Sequence, residues 1–148
     1  MAVGVITTIG TGAAGAEGTN ELATADCVSQ RTEQLISGAE PGGTTSGSDA
    51  IFAFEYAYYV QRSGTAARAL VADDSPDIAS SEMIQRGIDE QLPVGSRYCV
   101  WITPDGRPDT WDVEVTQEHP NGQRMLYRQD IATRSIAGGT LITGLTSE

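Results

Sequence analysis

The sequence predicts an α+β domain: three N-terminal helices packed on one face of a curved four-stranded antiparallel sheet. Three observations predict it. The chain changes character near residue 48, where a Gly/Ala/Thr/Ser-rich stretch without a sustained period gives way to a dense helical run over 48–74. A second helical stretch follows, and then four strand-like runs fill the remainder. Helices first and strands last is the pattern of segregated α+β layers. A length of 148 residues suits one domain with a real core and is too short for two of ordinary size.

The leading 47 residues read as a flexible or weakly ordered arm, and 48–148 as the domain. Residues 2–10 (AVGVITTIG) are apolar but too short to span a bilayer, which takes about 20 residues. They have no basic flank, so they make a poor signal peptide. They fit either the outer end of a membrane anchor or an ordinary flexible terminus. Residues 27–37 suit a short strand or helical turn, and Pro41-Gly42-Gly43 breaks whatever precedes it.

The first helix starts at Ser48 or Asp49, either of which can cap free N–H groups. It runs to about Arg62 and stops at Ser63-Gly64. A short second helix covers 65–72 and ends in Asp73-Asp74-Ser75-Pro76. The third begins near Ser80 or Ser81 and runs to Leu92, with Met83, Ile84, Ile88 and Leu92 as its apolar stripe. The strands follow at 96–103, 109–119, 123–133 and 140–146, joined by short Gly-, Pro- and Asn-Gly-containing links. Trp111, Val113 and Val115 alternate with Asp112, Glu114 and Thr116, giving one dry and one wet face.

The net charge is −11, from 20 acids against nine bases, all of them Arg. That balance argues against phosphate-mediated nucleic-acid binding and against adsorption to anionic lipid. The cysteines Cys27 and Cys99 form no C-x-x-C pair and have no neighbouring His, so zinc and thioredoxin-like readings are weak. A bridge between them would tie the arm to the first long strand and place the chain in an oxidising, extracytoplasmic setting. The other reading is two separate reduced thiols.

Glu55 is the leading chemical candidate. Helical spacing surrounds it with Ile51, Phe52, Tyr58 and Tyr59 and puts Arg62 two turns later on its side. A buried carboxylate there would be a base with a raised pKa, with Tyr59 or Arg62 as stabiliser. The structural reading is a Glu55–Arg62 pair at the helix rim, or a carboxylate accepting from a Tyr hydroxyl. Tyr56 and Tyr58 suit either a pocket wall or the core edge. Trp101 and Trp111 suit sheet packing or, if exposed together, a partner surface. His119, beside Pro120-Asn121-Gly122, reads as an exposed turn residue, and Asp73, Asp74 and Asp77 as helix termination. No nucleophile elbow, zinc-binding H-E-x-x-H or phosphate loop occurs, so no metal or cofactor is expected.

With its aromatic first helix (FAFEYAYYVQ, 52–61), broken second helix (65–72) and terminal meander, the chain resembles a nuclear-transport-factor-2-like cone over about 48–146. The order of elements is similar to the compact extracytoplasmic branch of that superfamily. That branch includes scaffold subunits of conjugation and type IV secretion machines and small membrane-anchored accessory proteins of actinobacteria. The chain is also similar to uncharacterised actinobacterial domains with an FxxAYYVxRSG-like first helix and two cysteines. The resemblance implies a non-enzymatic, membrane-tethered envelope subunit with protein partners, able to dimerise through its sheet. The same fold also hosts isomerases and dehydratases. The alternative is therefore a small-molecule binder or isomerase-like enzyme with Glu55 as base.

Overall fold

The structure, a computed structural model, describes residues 21–147. The possible anchor remnant at 2–10 lies outside the described residues, among which no helix is long and apolar enough to cross a membrane. Two short strands come first, β1 (Gln30–Arg31) and β2 (Ile36–Gly38). Three helices follow, α1 (Gly47–Tyr59), α2 (Gly64–Arg68) and α3 (Ser81–Gln91). Four long strands complete the domain: β3 (Arg97–Pro104), β4 (Thr110–Glu118), β5 (Arg124–Ile136) and β6 (Gly139–Ser147). All six strands form one sheet in the order β1-β2-β3-β4-β5-β6, each neighbour pair antiparallel.

This corrects the expected architecture. The sheet has six strands, and the three helices are inserted between β2 and β3 instead of preceding the sheet. The arm thus enters the domain well before residue 48. The cause is pairing that local sequence does not advertise. Ile36, Ser37 and Gly38 pair with Ile102, Trp101 and Val100 of β3. Upstream, Tyr98 N–H donates to Leu22 O at 2.8 Å and Thr24 N–H to Tyr98 O at 3.1 Å, continuing that edge beyond β2. Cys27 and Cys99 form a disulfide that fastens the same segment to β3.

Each helix begins on a serine cap. Ser46 Oγ accepts from Asp49 N–H (3.2 Å), Ser63 Oγ from Ala66 N–H (3.0 Å) and Ser80 Oγ from Met83 N–H (3.2 Å). The cap, Ser46, therefore lies two residues before the expected Ser48, and Asp49 sits in the first turn, where the dipole favours an acid. It ends at Tyr59, and Arg62 takes a left-handed turn (φ 51°) that redirects the chain into α2.

The sheet's inner face carries Tyr98, Val100 and Ile102 of β3, Val113 and Val115 of β4, Ile131 of β5 and Ile142 of β6, all buried. Ile51, Phe52 and Ala50 of α1 pack into this layer, and Ile84 and Ile88 bring α3 against it. The far edge of β6 is covered. Ala72 N–H donates to Ile142 O, Ile142 N–H to Leu70 O and Thr140 N–H to Thr44 O, each at 2.8 Å. At the other edge β1 is only two residues long, so neither edge is a long open template for another chain.

The α2–α3 corner depends on a glycine. A Cβ on Gly64 would collide with Ser81 O and lie 2.7 Å from Gln85 N, both backbone atoms of α3. The Gln85 side chain completes the corner, accepting from Gly64 N–H (2.8 Å) and donating to Arg62 O (3.2 Å). Gly64→Ala is expected to cost about 1–3 kcal/mol, the usual range for overpacking against atoms that cannot rotate away. A urea midpoint unchanged from wild type would show that the two helices can move apart freely.

Candidate functional site

Helix α1 presents Glu55 inward between Phe54, Tyr58 and Tyr59, and here the core does not close. A cavity of about 330 Å³ lies between α1, α3, the 77–79 turn and the inner face of β4–β6. Its floor is Val115 and Gln117 of β4, Tyr127 and Gln129 of β5 and Leu145 of β6. Its roof is Met83, Ile84, Gly87 and Gln91 of α3, with Asp77, Ile78 and Ala79 at one side. The space exists because α3 carries a glycine over the floor. A Cβ at Gly87 would meet only Tyr58 Oη, at 3.7 Å. Met83 (61 % exposed) and Tyr127 (44 % exposed) mark the mouth.

Glu55 is 3 % exposed, and its Oε2 has no hydrogen-bond partner among the described residues. Burial pushes its carboxyl up to about 8, so the group is mostly neutral at pH 7. Tyr59, also buried, is raised well above the ordinary phenol range by desolvation, with the Glu55 charge adding to it. Its hydroxyl donates to Gln117 Oε1 at 2.7 Å, and Gln117 Nε2 reaches His119 Nε2 at 2.8 Å. Tyr59 stacks on Tyr98 (centroids 4.5 Å apart, 7° between planes) and meets Tyr58 edge-on at 5.0 Å. The aromatic wall is therefore braced from behind.

Of the residues singled out from sequence, Glu55, Tyr58 and Tyr59 come together on this cavity, and Tyr56 does not line it. Arg62 points elsewhere. Its guanidinium donates to Leu92 O at 2.8 Å and is 3.5 Å from Ile88 O, so it satisfies the C-terminal carbonyls of α3. Neither the Glu55–Arg62 pair nor a Tyr hydroxyl on Glu55 forms. Trp101 and Trp111 occupy opposite faces of the sheet. Trp101 sits across from Ser37 and Glu114 on the outer face. Trp111 is on the inner face, where its indole N–H donates to Thr133 Oγ1 at 3.3 Å. His119 is half-buried, held by Gln117, and not the exposed turn residue the sequence suggests.

The sequence singles out Asp77 only as helix termination and does not single out Gly87, Gln117, Tyr127 or Gln129. A readable signal existed for the two glutamines. Gln117 follows Val113 and Val115 at inward parity, and Gln129 lies between Tyr127 and Ile131 at the same parity. Polar residues at positions where alternation calls for apolar ones mark a face that does not pack. The outer face also gathers Asp105, Asp112 and Asp130. Arg107 pairs with two of the three, 2.5 Å from Asp105 Oδ2 and 2.9 Å from Asp130 Oδ2.

Fold and site together define a disulfide-bonded α+β domain whose single sheet and helices enclose a tyrosine-walled cavity around a buried carboxylic acid. Residues 24–146 match the family model described as a domain of unknown function, DUF8176, and the chain belongs to that family. The match begins upstream of β1, in keeping with the two short strands being part of the domain. No curated protein and no solved structure matches the chain.

Proposed function

We propose that this is an extracytoplasmic ligand-binding domain that takes a small molecule into the Glu55 cavity. The observation that carries the reading is Glu55, a 3 % exposed carboxyl whose Oε2 has no hydrogen-bond partner among the described residues, among those lining a 330 Å³ space. A buried acceptor left unmet costs about 1–3 kcal/mol, and an apolar residue at that helix position would avoid the cost. A polar group retained at such a cost beside a ligand-sized cavity, half of whose lining is polar, is the kind of group that orients a bound ligand. The disulfide supports an oxidising compartment, which suits the outer side of a cell membrane.

Binding is favoured over catalysis and over a scaffold role. The two stabilisers expected beside a Glu55 base are both engaged elsewhere. Arg62 is committed to the end of α3, and the Tyr59 hydroxyl to Gln117. A partner surface built on both tryptophans would need them on one face, and the sheet separates them.

The test uses a neutral probe, indole, titrated into the ¹⁵N-labelled chain. Amide shifts are expected to concentrate at Glu55, Gly87 and Gln129. Gly87→Phe is expected to fill the cavity and abolish those shifts. The variant should stay folded, because replacing a mid-helix glycine with phenylalanine recovers about 0.3–0.5 kcal/mol of helix propensity that offsets part of any crowding. Scattered shifts, or shifts that survive in Gly87→Phe, would remove the cavity from consideration.

A further inference from the structure

Resting on the reading that this cavity binds a small molecule, we infer that its ligand is a small organic ammonium ion with an apolar or aromatic body, held by the Glu55 carboxylate. Four observations converge on that chemistry. Two carboxyl groups, Glu55 and Asp77, line the cavity, and no Arg or His does. One of them, Glu55, is 3 % exposed, and its Oε2 has no hydrogen-bond partner among the described residues. An ammonium group offers donors and no acceptors, which suits a carboxylate. Tyr58, Tyr59 and Tyr127 add aromatic rings, whose faces attract cations most strongly where water is excluded. The net charge of −11 raises the local concentration of cations at the mouth.

Competing chemistries fit less well. An anion would enter a space with two acids and no cationic side chain. A neutral acceptor would pair with protonated Glu55 but gain nothing from the Asp77 carboxyl or the tyrosine ring faces. The volume of about 330 Å³ offers room for roughly ten water-sized groups, each taking about 30 Å³, which limits the body to about one ring and a short chain.

The assignment carries a proton signature. Free Glu55 holds its proton at pH 7 because it is desolvated. An entering ammonium favours the carboxylate, so the Glu55 proton leaves to solvent as the cation binds. The other ionisable groups near it are Tyr58, Tyr59 and Asp77 on the wall, Tyr127 at the mouth, Tyr98 behind Tyr59, and Arg62, whose charge reaches Tyr58. Affinity for a cation should therefore rise with pH until Glu55 ionises unaided, and affinity for a neutral acceptor should fall over the same range.

Three probes of one shape test this by calorimetry on the full chain: phenethylammonium, 2-phenylethanol and phenylacetate. Phenethylammonium is expected to bind at least about tenfold more tightly than the alcohol at pH 7.5, and to gain about tenfold per pH unit between pH 6 and 7.5. At pH 7, heats in buffers of different ionisation enthalpy should report release of close to one proton. Phenylacetate should not bind. Glu55→Gln should weaken the cation at least about tenfold, remove its pH dependence and leave the alcohol's affinity within about threefold. If the alcohol or phenylacetate binds as tightly as the cation, or Glu55→Gln leaves the cation unaffected, the ammonium assignment is overturned while the cavity remains a binding site. If no probe binds and Gly87→Phe matches wild type with indole, both readings fall.

Discussion

Glu55→Gln is expected to make the protein more stable at pH 9 while changing little at pH 4. The sign follows from the direction of the shift. The carboxyl titrates at about 8 in the fold and near 4.5 in the unfolded chain. Below about pH 4.5 both states hold the proton and the side chain adds no pH dependence. Between about 4.5 and 8 the unfolded chain releases its proton while the fold keeps it, so wild-type stability falls as pH rises. Above about 8 both states are ionised and the curve flattens. At 1.36 kcal/mol per pKa unit the full penalty is roughly 4–5 kcal/mol, an upper value that water entering the cavity will reduce. Glutamine keeps the shape and cannot ionise. The paired acids Asp26 and Asp105, held low mainly by Arg124 and Arg107, change protonation only at lower pH and slope the other way. Urea midpoints at unit steps from pH 4 to 9 should separate the variant from wild type progressively above pH 5. Parallel curves would mean that Glu55 is solvated in the fold and that the cavity is wet enough to hold its charge.

Much of this arrangement is legible in the residues. Serines and acids ahead of apolar stripes place three helices, and the alternation around Trp111 and Val113 locates an antiparallel sheet. Glu55 on an aromatic helix face stands out for the same reason that it is costly. Three features were hidden, each for a physical reason. Strands of two and three residues show no period, so β1 and β2 become visible only through their pairing with β3. Arg62 seemed to share a side with Glu55 because helical spacing was carried to residue 62. The helix ends at Tyr59, and the left-handed Arg62 turns its guanidinium toward α3. The floor of the cavity depends on which strands become neighbours. Gln117 and Gln129 lie on β4 and β5, and only the register between those strands puts them on one surface.

Loss of the Cys27–Cys99 disulfide is the second large effect expected, and its pattern follows from where the bridge sits. The cysteines are 72 residues apart, and the closed loop contains β1, β2 and all three helices. A loop of that length restricts the unfolded chain by roughly 4 kcal/mol in the chain-entropy model, a large share of the 5–15 kcal/mol that stabilises an ordinary domain. The β1–β2 segment is otherwise held by its short pairing with β3 and by Arg31, which pairs with Glu40 and with Asp49 of α1. Its strands are two and three residues long, and the Arg124–Asp26 pair beside it is solvent-exposed. Ser37 and Ala39 are nonetheless fully buried, so releasing the segment uncovers the edge of β3. Cys27→Ser with Cys99→Ser, or reduction of the native chain, is expected to lower unfolding free energy by about 2–4 kcal/mol. Hydrogen exchange should rise first at residues 36–38 while Val113, Val115 and Ile131 keep their protection, because β3–β6 are tied by longer ladders and covered by α1. Uniform acceleration across the sheet would mean that β1 and β2 fold as one unit with the rest. A loss below about 1 kcal/mol would mean that the segment is held by its pairing to β3 and by Arg31 alone, and the bridge would then carry no weight as a sign of compartment.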